Sequence, residues 1–251
     1  MDMSRPLLSF ENVSKCYPDG GREIVVLDRV SFEIHAGVFA GIFGMRRSGK
    51  STLLRLAAGI ELPSSGTVRF GGRDLAAMST VERERLLRRG VAFVSSQDWS
   101  PSSMERVIDL VALALGSDGP ALREARHRAR RVLARVQMTS CADELARSLS
   151  LGDRMRVVLA RALIREPSVL LVDEPAVIPS LSERDRFCAL LRSVAEEQKA
   201  TLVVASEEMA PLRGAGMLLS IGDGEVCSTE ERATVVRLPR RHAAGAERSR
   251  E

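Results

Sequence analysis

Gly44-Met45-Arg46-Arg47-Ser48-Gly49-Lys50-Ser51-Thr52 is the stretch that decides the fold. It fits the phosphate-binding pattern G-x-x-x-x-G-K-[ST], and its flanks suit the mechanism behind that pattern. Val38-Phe39-Ala40-Gly41-Ile42-Phe43 before it is a short apolar run that reads as a buried strand. Leu53-Leu54-Arg55-Leu56-Ala57-Ala58 after it reads as a helix. A tight strand-to-helix turn aims several backbone N–H groups at one point, and the helix N-terminus adds partial positive charge there. Gly44 and Gly49 carry no Cβ, so the backbone can close around phosphate. Lys50 can reach the outer phosphates, and the Ser51 hydroxyl can ligate Mg²⁺. The lysine stands out, because of 37 basic side chains only Lys15, Lys50 and Lys199 are lysines.

Composition bounds the rest. A chain of 251 residues has room for one large domain or two small ones and for a sizeable core. Hydrophobic content of 45% and charged content of 28% are those of a soluble globular protein. No apolar run approaches the ~18–20 residues of a membrane span. Met1-Asp2-Met3-Ser4-Arg5 is not followed by an apolar signal core, which argues against secretion. Cys16, Cys141, Cys188 and Cys227 are scattered, so neither a disulfide framework nor a structural zinc is expected. The formal charge of +4 is compatible with anionic partners such as nucleotide or a membrane surface, but a solvated basic surface is the simpler reading.

The order of elements points to α/β architecture. Leu7–Val13, Ile24–Leu27 and Val30–Ile34 alternate as antiparallel strands do, with Pro18-Asp19-Gly20-Gly21 as a turn. Thr67–Phe70, Val91–Val94, Val169–Val172 and Thr201–Ala205 read as further strands. From Ser102 to about Ser148 the pattern is helical. The arginines between Arg123 and Arg135 flank Ala125, Ala129, Val132 and Leu133 at helical spacing, which marks a solvated helix face rather than a nucleic-acid stripe.

A second site is expected at Val169-Leu170-Leu171-Val172-Asp173-Glu174-Pro175. Four apolar residues ending in two carboxylates describe a buried strand that delivers charge to the crevice where α/β sheets bind ligands. Asp173 can hold a magnesium shell, and Glu174 can polarise an attacking water.

Between these motifs runs Leu149-Ser150-Leu151-Gly152-Asp153, followed by Arg161-Ala162-Leu163-Ile164-Arg165-Glu166-Pro167. Here the chain resembles the ATP-binding cassette of an ABC transporter, whose L-S-G-G-Q opens a helix ending in A-R-A-L before the second carboxylate motif. Gly20-Gly21-Arg22-Glu23, Gly72-Arg73-Asp74-Leu75 and Glu84–Arg89 are similar to the lipoprotein-releasing and macrolide-export type. The resemblance implies a P-loop NTPase fold with an N-terminal antiparallel β subdomain and a helical subdomain. The cassette is expected over residues 6–235, with the helical part at about 98–150 and a polar, disordered tail over 236–251. It further implies ATP and Mg²⁺ as cofactors, and a transmembrane permease and a second cassette as partners. No nucleic-acid partner is expected. The place expected is cytoplasmic, peripheral on the inner face of the cell membrane. Lys50 and Glu174 are the expected catalytic groups. Ser51, Gln97 and Asp173 are expected at the metal. The nucleotide is expected at Tyr17, which would stack on adenine, at Gly44, Met45, Arg46, Arg47, Ser48, Gly49, Lys50, Ser51 and Thr52, and at Gln97, Ser150, Gly152 and Ser206. The segment after Gln97, with Asp98, Trp99, Pro101 and Met104, would face the permease.

The chain also departs from the family pattern. Leu151 and Asp153 stand where the signature has glycine and glutamine. A branched side chain obstructs backbone approach, and a carboxylate repels triphosphate unless it turns to cap its own helix. Val177-Ile178-Pro179-Ser180 lacks the aspartate of the usual S-A-L-D turn, and Ser206 replaces a histidine that contacts the γ-phosphate. Parts that act within one chain are kept, and parts that act across a dimer are eroded. Turnover is therefore expected to be slow or partner-dependent. The alternatives are a regulatory subunit with little turnover and a soluble, non-transport ABC protein. Lys50→Ala should weaken nucleotide binding about 10–100-fold, as loss of a charge-assisted bond would, and leave the fold intact. A fluorescent-nucleotide titration of both proteins checks this.

Overall fold

Strand β7 (Val169–Asp173) and strand β8 (Thr201–Ser206) are buried along their whole length. They lie at the heart of a computed structural model that describes residues 6–99, 105–116 and 119–229. Of Arg89, Asp98, Ser228 and Thr229 only the backbone is described. The six-stranded sheet around them runs β10-β9-β3-β8-β7-β6, with β3 (Phe39–Gly44), β6 (Val91–Ser95), β9 (Met217–Gly222) and β10 (Glu225–Thr229). All neighbours pair in parallel except β9 and β10. A parallel ladder needs crossovers that lay helices on both faces, which is why its central strands read as unbroken apolar runs.

Alternation along each strand sends neighbouring side chains to opposite faces. Val169, Leu171, Val203 and Ala205 join Ala40 and Ile42 in one core. Leu170, Val172, Leu202 and Val204 join the other. The first core is closed by α1 (Lys50–Ala57) and by an antiparallel sheet of order β2-β1-β4-β5. That sheet consists of β1 (Leu8–Asp19), β2 (Arg22–Ile34), β4 (Ser65–Phe70) and β5 (Arg73–Asp74). The rings of Phe10 and Phe32 stack across β1 and β2 with centroids 4.5 Å apart. The second core is closed by α3 (Val107–Leu113), α4 (Leu122–Arg135), α5 (Leu151–Leu163) and α6 (Leu181–Gln198). Helix α2 (Thr80–Gly90) leads into β6 and starts with a reciprocal cap between Ser79 and Glu82.

The α/β class and the antiparallel N-terminal sheet are as the sequence implies. Two details differ. Ile24–Leu27 and Val30–Ile34 are one strand, because Arg29 takes a left-handed backbone (φ 47°) and the irregularity is absorbed as a shift of register against β1. The helical stretch expected from Ser102 is broken among the described residues into α3, α4 and a short turn of 3₁₀ helix at Ala146–Ser148. Pro101, Met104 and the tail 236–251 lie outside the described residues. No helix among the described residues is long and apolar enough to cross a membrane.

Leu171 has no exposed surface and packs between two flanking strands and α1. Leu171→Ala should cost about 2–5 kcal/mol through lost burial and the cavity left behind. Denaturant unfolding of both proteins measures it.

Candidate nucleotide site

The carboxyl ends of β3, β8 and β7 lie side by side at one edge of the sheet, since Phe43 pairs with Ser206 and Ala205 with Asp173. Two strand spacings, about 10 Å, therefore separate the glycine-rich turn from the paired carboxylates. The turn leaves β3 at Gly44, where a Cβ would come within 2.5 Å of Ser48 Oγ and 2.7 Å of the Ile221 carbonyl. Only glycine fits so close an approach. At Gly49 the backbone has φ 102°, a conformation side-chain-bearing residues rarely adopt, and α1 begins at the next residue.

Four features of this turn fit a polyanion. The Lys50 ammonium is nearly buried, 7% exposed, and its bonds run to neutral acceptors: Gly44 O at 2.7 Å and Met45 O at 3.0 Å. Helix α1 has no side-chain cap, so its leading N–H groups keep their hydrogen-bonding capacity. Its first turn has no acidic residue to oppose an anion. Ser48 Oγ is buried with no hydrogen-bond partner among the described residues. Met45, Arg46 and Arg47 are exposed, so both arginines are solvated in this conformation. Thr52 is buried behind the turn, and Ser51 is half-buried on the first turn of α1.

Across the crevice, Asp173 is 7% exposed and makes no ion pair among the described residues. Glu174 follows in a left-handed conformation (φ 50°, ψ 65°). This backbone turns its carboxylate toward the segment after β8. Ser206 Oγ donates to Glu174 Oε1 at 2.9 Å, and the Glu207 amide donates to Oε2 at 3.0 Å. Burial raises the Glu174 pKa; the two donors and the Lys50 charge pull it back down without cancelling the burial. Ser206 is fully buried and directly bonded to Glu174, a contact that sequence spacing did not suggest.

The remaining expected residues divide. Gln97 lies beside the end of β6 in a short 3₁₀ turn and is exposed, with its backbone N–H donating to Ser95 Oγ. Trp99 is half-buried against the second core, with the Arg154 guanidinium 5.8 Å from its ring centre. Ser150 caps α5, accepting from the Asp153 amide at 3.2 Å and donating to Asp153 Oδ2 at 2.7 Å. The Asp153 carboxylate is thus engaged by the Ser150 hydroxyl that caps its own helix, a cap worth about 1 kcal/mol. A Cβ at Gly152 would lie 3.3 Å from Glu183 Oε2, so a second carboxylate borders this motif.

Tyr17 is near α1, but its hydroxyl is engaged: it donates to Glu61 at 2.5 Å and lies 3.5 Å from Thr52 Oγ1. Lys15 sits 5.0 Å from the ring centre and pairs with Glu61 at 3.3 Å. A cavity of about 930 Å³ opens elsewhere, between α2, α4 and the end of α5, lined by Arg85, Arg88, Arg131 and Arg165 among others. It shares no residue with the glycine-rich turn or the paired carboxylates.

Residues 27–177 match the family model described as ABC transporter. The chain belongs to the ABC transporter family. It is 34% identical over 248 residues to the macrolide export ATP-binding/permease protein MacB of Burkholderia lata, covering 97% of this chain and 34% of that one. It is 31% identical over 202 residues to the lipoprotein-releasing system ATP-binding protein LolD of Chromohalobacter salexigens, covering 80% of this chain and 85% of that one. The chain thus spans about a third of the length of MacB and most of LolD. The dimeric structure of MJ0796, a bacterial ABC transporter cassette, superposes with a TM-score of 0.82 at 27% identity, covering 90% of this chain and all of that one. A post-hydrolysis state of the same cassette bound to ADP and Pi gives 0.81. The fold is that of a P-loop NTPase cassette of the ABC transporter type, as the quoted motifs implied.

Tyr17 is the single tyrosine of the chain. Burial raises its pKa above 10.0, and the Glu61 bond raises it further. A raised pKa adds stability that is present below the unfolded pKa and lost as pH rises through the folded one. Glu61→Gln should therefore move the tyrosinate absorbance midpoint down toward 10.0 and shrink that alkaline loss of stability.

Proposed function

We propose that this cassette of the ABC transporter family binds Mg-ATP at the Gly44–Thr52 turn and hydrolyses it slowly to drive a membrane permease. One observation carries the reading: a nearly buried ammonium, Lys50, is held, among the described residues, by carbonyls alone, beside a buried Ser48 hydroxyl with no partner there and the uncapped start of α1. Such a cluster of donors is stabilised by an anion and by little else. Lys50 and the turn amides would hold the phosphates. Ser51, Asp173 and Gln97 would hold Mg²⁺, with the nearly buried Asp173 supplying the negative charge a divalent cation needs. Bound Mg²⁺ would offset phosphate charge as it develops in the reaction.

Glu174 would orient the attacking water. Its burial-raised pKa suits a proton acceptor, and each of its oxygens, bonded to one donor, keeps a lone pair free. Ser206 would hold that carboxylate in place rather than meet the γ-phosphate, since its hydroxyl is spent on Glu174. Tyr17 would border the base, and Arg46 and Arg47 are free to meet phosphate from the solvent side. Ser150 and Gly152 would face the nucleotide of a second cassette, and the Ser150–Asp153 bond makes that contact weaker in this chain. We read residues 6–235 as the cassette, α3 and α4 as its helical subdomain, and the cytoplasmic face of the cell membrane as its place. LolD and MacB, which resemble the chain over most of its length, are named as an ATP-binding protein and an ATP-binding/permease protein; this supports a permease as partner.

A regulatory subunit with little turnover is the second reading, favoured by the Asp153 and Glu183 carboxylates around the signature. Phosphate release separates the two. The purified chain should release phosphate slowly, and Glu174→Gln should lower the rate about 10²–10⁴-fold, the usual worth of a positioned base. A wild type no faster than Glu174→Gln, with its permease present, would leave the regulatory reading.

A further inference from the structure

Arg184 is a charged side chain almost out of water, 8% exposed, at the start of α6. Nothing in the nucleotide site as described above uses it. Its Nε and Nη2 both donate to the Ile178 carbonyl, at 3.1 and 3.0 Å. Its Nη1 donates to the Glu208 carboxylate. One guanidinium therefore spans two turns, the one that follows β7 and the one that follows β8.

The second of these turns is the one that grips Glu174. Ser206 Oγ and the Glu207 amide hold its two oxygens. The Glu208 amide in turn donates to Ser206 Oγ at 3.1 Å, so the residue that Arg184 grips also orients the hydroxyl that grips Glu174. The β7–β8 ladder ends where Asp173 pairs with Ala205, and one more backbone bond runs from the Glu174 amide to Ala205 O. Past that point the hydrogen bonds between the two turns, among the described residues, run through the side chains of Glu174 and Arg184. A guanidinium offers its donors in a rigid planar fork, so it fixes direction as well as distance. A buried charge left without its partner is strongly unfavourable, so both turns are drawn to it.

We propose that Arg184, acting through Glu208, is a positioning residue for Glu174. It clamps the turn after β8 to the turn after β7 within a single chain, and so sets where the Glu174 carboxylate points. The proposal rests on the reading of Glu174 as the group that orients water. It supplies from within the chain an anchor for a turn, Val177–Ser180, that has no carboxylate of its own. A Glu174 geometry fixed this way does not depend on a second cassette docking first.

The test is residue-resolved amide exchange on the full, nucleotide-free chain, for Arg184→Met, Glu208→Gln and the double variant. Exchange at the Glu207 and Glu208 amides should rise at least about tenfold in each single variant, as for a local opening. The Val203 and Val204 amides should be unaffected, and the double variant should be no faster than the faster single one. In phosphate-release assays both single variants should lower kcat and leave the KM for ATP unchanged. Unchanged exchange at Glu207 in both variants would overturn the clamp. So would a rise spread evenly along β8, which marks general loosening, or fully additive effects in the double variant. Should Arg184→Met fail to fold, Glu208→Gln decides alone, since Glu208 is half-exposed and the substitution keeps its shape. Local exchange as expected with kcat untouched would uphold the clamp and overturn the role of Glu174 in hydrolysis.

Discussion

Strands β7 and β8 have no face in water, and that constraint organises the rest of the molecule. Each strand feeds two cores at once, so both sides of the sheet must be covered. The antiparallel sheet and α1 cover one side, and α3 to α6 cover the other. Parallel pairing then brings every crossover back to the same edge. The glycine-rich turn, Asp173, Glu174 and Ser206 meet there because the ladder puts the ends of β3, β8 and β7 side by side, although their positions in the chain are far apart.

The electrostatics at that edge are unbalanced in two complementary ways. On one side a nearly buried ammonium rests on carbonyl oxygens, with orphan donors around it. On the other, a carboxylate is partly stripped of water, its pKa raised by burial and restrained by two donors. Protein interiors tolerate such arrangements where a ligand completes them. Here a nucleotide and its cation would carry the missing charges.

Elements that would act across two copies look inward instead. Ser150 and Asp153 satisfy each other at the start of α5, and Glu183 borders Gly152. The turn after β7 is anchored to Arg184 of its own chain. These contacts share one physical cause: a polar group at a helix start or in a tight turn takes the nearest donor or acceptor. In this chain these groups therefore find their partners within a single cassette.

Much of this was legible in the chain alone. Gly44, Gly49 and Lys50 announce the turn, because close backbone approach, a positive φ and a reaching ammonium each demand one residue type. The apolar runs of β3, β6, β7 and β8 announce a sheet buried on both faces, and their carboxyl ends announce the edge. Side-chain partners between elements were not legible, since hydrogen bonds such as Ser206 to Glu174, Tyr17 to Glu61 and Arg184 to Glu208 join residues 24 to 44 positions apart. No periodicity encodes such pairs; they exist only once strand register and helix packing have set the distances. An arginine at the start of an amphipathic helix reads as a solvated charge until the fold closes over it. Sequence by itself determined the architecture and the place of the phosphate turn, through backbone sterics and burial; tertiary structure alone decided which polar groups hold the carboxylate across from it.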